Sequence, residues 1–369
     1  MSDRPDLFHP LCGANLATLL RLFATNGAVA PRHLPRAAIA LAVVLVRWPF
    51  TTVERLMVAM TRRRRAPMKA PIFIVGHLRS GTTHLHNVLS QAEEFGYISP
   101  LAAALPWDLL GIVRALEPLL ARALPPDRYV DRIPVNVDSP QEDSIALANM
   151  TPLSYYHGLY FPQRFRHHFY RGMFFDGCRP REIAQWRRRH IQFLEKVSLY
   201  QGGKRLLIKN PAYTGQIARL IEIWPDARFI HVYRNPYVVF PSTRHFFNTL
   251  LHELALQRHG EAPVDEVILQ SYPRLMNTLL ADAATLPASR FVEVRFEDLE
   301  NDPLGETERI YRTLDLPGFE QARPRFEAYL TGVRGYRKNR YRFDIEATRL
   351  VQTHWAAFIE RWGYEPPVE

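Results

Sequence analysis

The architecture of this chain follows from Pro71-Ile72-Phe73-Ile74-Val75-Gly76-His77-Leu78-Arg79-Ser80-Gly81-Thr82-Thr83-His84. Its apolar, β-branched beginning, Ile72 to Val75, predicts a buried strand. A loop opened by Gly76 and closed by Gly81 comes next, and apolar residues at helical spacing follow from Leu85 onward. A glycine loop between a strand and a helix N-terminus favours anion binding, because the first helical N–H groups lack internal partners and the helix dipole is positive there.

The spacing of this loop comes close to that of a P-loop, G-x-x-x-x-G-K-[ST], and departs from it at one position. Thr82 stands where a P-loop has the lysine that reaches the β- and γ-phosphates. Loss of that lysine disfavours a triphosphate with its metal, and the positive charge lies inside the loop instead, as Arg79. The residues predict a site for one phosphate and a second anionic group, bound without metal. A loop that only turns the strand into the helix is the alternative.

Three segments together resemble the sulfotransferases that use 3′-phosphoadenosine 5′-phosphosulfate (PAPS). Arg79 to Thr83 resembles the family's 5′-phosphosulfate loop. Arg228 to Pro236 resembles the strand that ends in Arg-Asp/Asn-Pro at the 3′-phosphate, and Ser242 follows Arg234 at the family's spacing. Val294 to Leu299, with a later Asp-Pro turn, resembles the family's last strand. The resemblance covers about residues 71 to 365, is of bacterial type, and is closer to the tyrosylprotein and glycan branch than to the soluble small-molecule enzymes.

The resemblance implies which residues bind PAPS, the co-substrate, and which assist the transfer, with no metal required. The implied donor-binding residues are Arg79, Ser80, Gly81, Thr82, Thr83, His84, Arg234, Ser242 and Arg340. Arg79 also stabilises charge as the bridging oxygen departs, by analogy with phosphoryl transfer. Lys209 corresponds to the lysine of the family's Lys-Asp-Pro segment, which lies near the sulfate. For the basic segment around Arg340, a solvated turn is the alternative.

The general base that takes the proton from the acceptor hydroxyl stays open between three residues. The tyrosylprotein relatives carry a Gly-Glu-Glu segment some twenty residues after the loop, but residues 96–100 of this chain contain no acid. Glu142 and Asp143, just after Pro140, are the first candidates, although acids in a first helical turn also complement the helix dipole. His84 is the third candidate, and a hydrogen bond to the donor is its alternative role.

The chain has 369 residues and a net charge of +10. This composition limits the kinds of ligand and partner that it is expected to bind. A basic balance fits anionic ligands or an anionic membrane surface, while the sequence shows no zinc spacing or RNA-binding motif, which disfavours nucleic acid. Cys12 and Cys178 fit neither a disulfide framework nor a metal site, so a reducing cytoplasm is expected. The aromatic region 155–175 predicts an apolar acceptor pocket or lid, with core packing as the alternative.

Residues 1–70 are predicted to form an N-terminal helical extension ahead of a sulfotransferase domain, residues 71–369. The apolar run from Ala37 to Val46 rises only about 15 Å as a helix, half of a bilayer core, so it is expected to lie in the core or at a membrane interface. Arg62 to Arg65 follow it and are typical either of contact with anionic lipid headgroups or of a solvated linker. A cytoplasmic protein is expected, with peripheral contact at the inner membrane face as an open alternative.

Short apolar strands alternate with helices after residue 71. The segments 206–208, 228–233 and 291–296 are predicted strands, and a helix over 217–224 connects the first two, which should therefore be parallel. The pattern predicts an α/β fold with a P-loop-like parallel sheet flanked by helices.

With the resemblance, the expected function is sulfuryl transfer from PAPS to a hydroxyl of a lipid-like or other apolar small molecule. Sulfation of a glycan or protein, a P-loop kinase, and a non-catalytic membrane-associated binding protein are the alternatives.

Overall fold

The computed structural model describes residues 8–61, 67–122, 130, 136–333 and 344–367. The chain divides into two compact units. The first unit comprises Met1–Met68, Ile98–Gly203 and Thr249–Ala262, and the second comprises Lys69–Tyr97, Lys204–Asn248 and Pro263–Glu369. The expected boundary at residue 70, between an extension and a sulfotransferase domain, stays a prediction.

Helices make up most of the described residues. The α-helices are α1 (Leu16–Thr25), α2 (Leu34–Thr61), α3 (Thr82–Leu89), α4 (Pro100–Ala104), α5 (Arg114–Ala121), α6 (Ser144–Met150), α7 (Tyr156–Tyr160), α8 (Phe165–Phe174), α9 (Pro180–Tyr200), α10 (Ile217–Ile223), α11 (Pro236–Leu254), α12 (Val264–Ala283), α13 (Phe296–Asn301), α14 (Pro303–Thr313), α15 (Phe319–Val333) and α16 (Ile345–Arg361). A π-helical turn, Leu109–Val113, leads into α5.

The second unit contains a five-stranded sheet in the order β2-β3-β1-β4-β5. Its strands are β1 (Ile72–Val75), β2 (Phe95–Gly96), β3 (Arg205–Lys209), β4 (Arg228–Tyr233) and β5 (Phe291–Arg295). Each neighbouring pair is parallel, and β1 lies in the centre between β3 and β4. The predicted α/β fold with a parallel sheet is therefore confirmed.

Side chains of β1 are buried on both faces of this sheet, as is usual for parallel strands. Ile72 and Ile74 belong to a core cluster with residues of α3, α14 and α15. Phe73 points to the other face, where its ring contacts Tyr213 and stacks on Phe229. This burial fixes the end of β1 and so the position of the loop that follows.

The long helix α2 in the first unit corrects the expectation of a ten-residue apolar helix. It spans 28 residues, continues through Pro49, and ends at Thr61. The helix continues because Thr51 and Glu54, beyond the proline, are buried and hydrogen-bonded to residues 108–111. The stretch Pro31–Met60 is long and apolar enough to cross a membrane by length and composition alone. The length argument against a spanning helix was therefore wrong.

The aromatic region 155–175 lies mainly in the interior of the first unit. Tyr160, Phe161, Phe165 and Phe169 are between 0% and 2% exposed. Their rings contact one another and neighbouring rings in edge-on or tilted pairs. These four side chains are core packing, which was the alternative to an acceptor pocket or lid.

Candidate active site

The loop between β1 and α3 has a backbone that only particular residues can adopt. Gly76, Arg79 and Gly81 have positive φ angles of 144°, 68° and 97°. A Cβ atom on Gly81 would lie 2.0 Å from the ring of Phe296, and one on Gly76 would lie 2.3 Å from the carbonyl oxygen of Val232. Both glycines are therefore required. Arg79 adopts a left-handed conformation that is costly for a residue with a Cβ, and such strain concentrates at functional sites.

Hydrogen bonds hold this loop rigid. The Thr214 hydroxyl accepts from the N–H of Gly76 at 2.8 Å and donates to its carbonyl at 2.9 Å. The buried Ser80 hydroxyl donates to the carbonyl of His77 at 2.8 Å. The Thr243 hydroxyl lies 3.2 Å from the carbonyl of Leu78. A loop held in this way presents its N–H groups in a fixed arrangement, which is what preorganised anion binding requires.

The two predicted phosphate motifs meet within the second unit. Nε of Arg79 donates to Oγ of Ser242 at 3.0 Å, and Nη1 of Arg234 lies 3.5 Å from the carbonyl oxygen of Arg79. The Arg234 guanidinium also lies over the ring of Phe296, 4.4 Å from its centre. Two guanidinium groups at one helix N-terminus form a site suited to a ligand with two anionic groups.

The other predicted donor-site residues of the second unit lie at the same edge of the sheet. Lys209 is the last residue of β3, pairs with Ile74 in the register of β1, and is 3% exposed. Thr82 is buried, while Thr83 and His84 are half-buried in the first turn of α3. Ligands of open parallel sheets bind at the carboxyl ends of the strands. Arg340, with the rest of its basic segment, lies outside the described residues, as does the run Arg62–Arg65.

Two residues that position this site were given no role by sequence. Phe296 contacts Gly81, Arg234 and the ring of His84, which is 6.4 Å away between centres. Phe296 belongs to the segment Val294 to Leu299, which resembles the family's last strand, but nothing in the sequence assigned this residue a role in the site. Thr214, which fixes Gly76, lies in a 3-10 turn after Lys209 and belongs to no motif.

Comparison with known proteins identifies the family. A profile of the sulfotransferase family matches residues 71–321. The chain belongs to the sulfotransferase family. It is 32% identical over 295 residues to the omega-hydroxy-beta-dihydromenaquinone-9 sulfotransferases Stf3 of Mycobacterium bovis and Mycobacterium tuberculosis, with 80% of this chain and 75% of each relative covered. The expectation of a transferase is thereby confirmed.

Solved structures of sulfotransferases have the same fold. STF9 from Mycobacterium avium superposes with a TM-score of 0.73 and 17% identity, covering 95% of this chain and 91% of that one. STF1 from Mycobacterium tuberculosis H37Rv superposes with a TM-score of 0.64 and 17% identity, covering 92% of this chain and 91% of that one. The similarity of fold therefore extends over more than nine-tenths of this chain and of each of the two solved structures.

The two candidate acids of the first unit occupy different environments. Asp143 is fully buried at the start of α6, with a carboxylate oxygen 4.0 Å from Nδ1 of the equally buried His190. Burial lowers the pKa of His190 to about 3, so this imidazole is neutral and the two groups do not form an ion pair. Glu142 is half-buried, and the Ser144 hydroxyl donates to its Oε2 at 3.4 Å. Of these two carboxylates, the one at Glu142 is accessible.

Tyr155 is a buried neighbour of the half-buried Glu142. Burial raises the pKa of Tyr155 well above its ordinary value, and the neighbouring charge of Glu142 raises it further. Tyr155 is therefore a neutral hydroxyl over the whole physiological range, and it can act only as a hydrogen-bond donor or acceptor beside the carboxylate.

Buried neutral histidines predict that this sulfotransferase loses stability in mild acid. Burial lowers the pKa of His77, His157 and His190 to about 4, 4 and 3, below the value of about 6.5 in an unfolded chain. The unfolded chain thus binds more protons, and stability falls as the pH drops below about 6.5, by up to about 1.4 kcal/mol per pH unit for each histidine.

Thermal melting between pH 8 and pH 5 measures this loss. His190→Gln should lower the melting temperature at pH 8 but give a flatter pH dependence, because one proton-linked group is removed. The exposed His354→Gln variant is the matched control and should keep the wild-type slope. An unchanged slope for His190→Gln would contradict the prediction.

Proposed function

We propose that this sulfotransferase transfers the sulfuryl group of PAPS to the hydroxyl of a lipid-like small molecule. The observation that carries the proposal is the 32% identity to enzymes whose names specify a hydroxylated menaquinone derivative, over 80% of this chain. The apolar interior of the first unit does not by itself specify an acceptor, so the acceptor class rests on these relatives.

The donor PAPS follows from the family, and the residues of the second unit suit it. In the proposed reaction the acceptor oxygen attacks sulfur, the bond between sulfur and the bridging oxygen breaks, and 3′-phosphoadenosine 5′-phosphate leaves. Arg79 and Lys209 stabilise the charge that develops on the leaving phosphate. Arg234 and Ser242 bind the 3′-phosphate. The loop N–H groups and the hydroxyl of Thr83 bind the 5′-phosphate, with His84 at the edge of that site.

The acceptor proton goes to Glu142 in this proposal. An accessible carboxylate can accept a proton from a bound hydroxyl, whereas the fully buried Asp143 cannot reach one. Asp143 would then have a structural role at the start of α6 and take no part in the proton transfer. His84 is the competing base, since it lies one residue after Thr83 and is half-buried.

Label transfer to extracted lipids tests the acceptor class. The protein is incubated with sulfur-labelled PAPS and a bacterial lipid extract, and the products are partitioned between organic solvent and water. Label in the organic phase, absent with heat-inactivated protein, is expected. Label only in water-soluble glycan or protein would refute the lipid acceptor while leaving the sulfotransferase assignment intact.

Ligand stabilisation tests the donor separately. 3′-Phosphoadenosine 5′-phosphate should raise the melting temperature in the presence of a chelator, because a ligand that binds only the folded state stabilises it. Stabilisation by ATP with magnesium, and not by this nucleotide, would favour the kinase alternative. Among the described residues, no group of three or more His, Cys, Asp or Glu side chains is placed to hold a metal ion. The metal-free reaction itself stays a prediction.

Loss of Arg234 should weaken recognition of the 3′-phosphate. We expect Arg234→Ala to raise the Kd for 3′-phosphoadenosine 5′-phosphate about 10-fold to 100-fold, because a charge-assisted hydrogen bond contributes about 1.5–3 kcal/mol. Ser242→Ala should have a smaller effect in the same direction. Titration calorimetry with the nucleotide and with its 3′-dephosphorylated form measures both.

Arg244→Ala is the matched control for Arg234→Ala, since Arg244 lies on α11, the helix that begins two residues after Arg234, and pairs with Asp265 at 2.7 Å. It should bind the nucleotide as the wild type does. Equal losses of affinity for the phosphorylated and dephosphorylated nucleotides in Arg234→Ala would remove Arg234 from the 3′-phosphate site.

A hydroxylated lipid acceptor would be found in or near a membrane. We therefore propose that the enzyme works in the cytoplasm with peripheral contact at the inner membrane face. The basic net charge of +10 and the long apolar helix α2 support this location.

A further inference from the structure

Helix α2 presents an apolar face to solvent. Seven large side chains on it are between 48% and 72% exposed: Leu45, Val46, Phe50, Val53, Leu56, Met57 and Met60. Their spacing places them on one side of the helix. We call this surface the α2 apolar face. A row of exposed large apolar side chains of this length is uncommon on a protein that contacts only water.

The opposite side of α2 is fastened to the first unit by buried polar contacts. Glu54 pairs with Nζ of Lys196 at 2.5 Å and accepts from the N–H groups of Leu110 and Gly111 at 3.2 and 2.8 Å. Arg47 pairs with Asp108, whose other oxygen accepts from Thr51 at 2.7 Å. Glu54, Asp108 and Lys196 are at most 6% exposed.

These contacts determine how α2 can meet a membrane. If α2 crossed a bilayer, Glu54 and Arg47 would leave their partners and enter hydrocarbon, and the buried Lys196 and Asp108 would lose theirs. Separating a buried ion pair is strongly destabilising. The helix therefore stays packed on the first unit and can offer only its exposed face.

The charge of the segment that contains α2 indicates which kind of partner surface fits the α2 apolar face. Between residues 31 and 66 the sequence has eight arginines, at positions 32, 36, 47, 55 and 62–65, and one acid, Glu54, which is buried. Arg47 is paired with Asp108 and Arg36 donates to the carbonyl of Glu253, so the other six arginines are those that favour an anionic surface. Apolar side chains bordered by arginine suit the boundary between acyl chains and anionic headgroups. A symmetric pairing of two copies would bring like charges together, which disfavours self-association.

We propose that the α2 apolar face docks on an anionic lipid surface, with α2 lying in the membrane plane. The inference deepens the membrane contact proposed above and rests on it. It defines the contacting residues and excludes a spanning helix. Such a contact would keep the enzyme at the surface from which a lipid acceptor is drawn.

Vesicle sedimentation tests this surface without donor or acceptor, so its outcome does not depend on the proposed reaction. The full-length protein is mixed with vesicles of phosphatidylglycerol and phosphatidylcholine. A triple variant, Phe50→Ser with Val53→Ser and Met57→Ser, should bind about tenfold or more weakly than the wild type. The double variant Leu119→Ser with Ile345→Ser removes side chains that are 61% and 67% exposed elsewhere, and it should bind as the wild type does.

Two further measurements test whether α2 lies in the membrane plane and whether its apolar face binds lipid or a second copy of the chain. Alkaline carbonate should release the wild type from bacterial membranes, whereas a protein that stays in the membrane would have a spanning helix and overturn the proposal. Light scattering should show the same oligomeric state for wild type and triple variant. A wild-type dimer that the triple variant dissociates would make the face an interface between copies instead. Wild-type affinity of a folded triple variant for the vesicles would also overturn the proposal.

Discussion

Replacing Arg79 by alanine should lower kcat by about 100-fold or more, with melting temperature nearly unchanged. Arg79 lies in the loop at the helix N-terminus, and its guanidinium is fixed by the bond to Ser242 at 3.0 Å. Its carbonyl oxygen lies 3.5 Å from Nη1 of Arg234. Removing one preorganised donor from a site where negative charge develops costs about 3 kcal/mol or more of transition-state stabilisation. Alanine keeps a Cβ at the left-handed position, so the backbone strain at residue 79 is the same in both proteins.

Initial rates at saturating acceptor, with labelled PAPS, measure this effect. Arg79→Lys should recover part of the activity, because it restores the charge but not the fixed bond to Ser242. Arg323→Ala is the matched control, since Arg323 is a half-buried arginine of α15 that pairs with Glu320. Turnover of Arg79→Ala within twofold of the wild type would show that Arg79 takes no part in the transfer step.

The sheet was the most predictable part of this fold. The strands Ile72–Val75 and Arg228–Tyr233 have the bounds that their apolar runs indicated. Parallel strands are buried on both faces, so they appear in the sequence as continuous apolar segments. The loop after β1 could be predicted for the same reason, because two glycines mark the positions where the backbone needs positive φ.

The length of α2 and the roles of Phe296 and Thr214 were not predicted, because they depend on contacts between residues far apart in the sequence. The apolar run indicated a helix that ended at Val46, but Glu54 and Thr51 are hydrogen-bonded to residues more than fifty positions away, and these contacts hold α2 together beyond Pro49. Neither Phe296 nor Thr214 could be assigned to the loop before their contacts with Gly81 and Gly76 were known. Local propensity contains no information about such partners.

The two acidic candidates for the general base also could not be distinguished without long-range contacts. Glu142 and Asp143 are adjacent in sequence and chemically alike, and either could be read as a first-turn acid. Burial against His190 separates them, since Asp143 is fully enclosed while Glu142 is accessible. That difference comes from α9, which lies some forty residues further along the chain.

Glu142→Gln should lower kcat by about 100-fold or more while leaving the affinity for 3′-phosphoadenosine 5′-phosphate unchanged. General-base assistance by a positioned side chain contributes about 10²- to 10⁴-fold. Glutamine has nearly the same shape and can still accept the hydrogen bond of Ser144, which lies 3.4 Å from the carboxylate in the wild type. The loss should therefore report the missing proton acceptor and not a change in packing. Initial rates at saturating donor and acceptor measure it.

Two neighbouring variants decide between the candidate bases. Asp143→Asn alters a carboxylate that is enclosed beside the neutral His190, so it should change the melting temperature more than kcat. His84→Gln should raise the KM for PAPS if this side chain contacts the donor, with kcat reduced much less than in Glu142→Gln. A loss of kcat in His84→Gln that exceeds the loss in Glu142→Gln would identify His84 as the proton acceptor. The carboxylate of Glu142 would then serve to orient Ser144, whose hydroxyl donates to it.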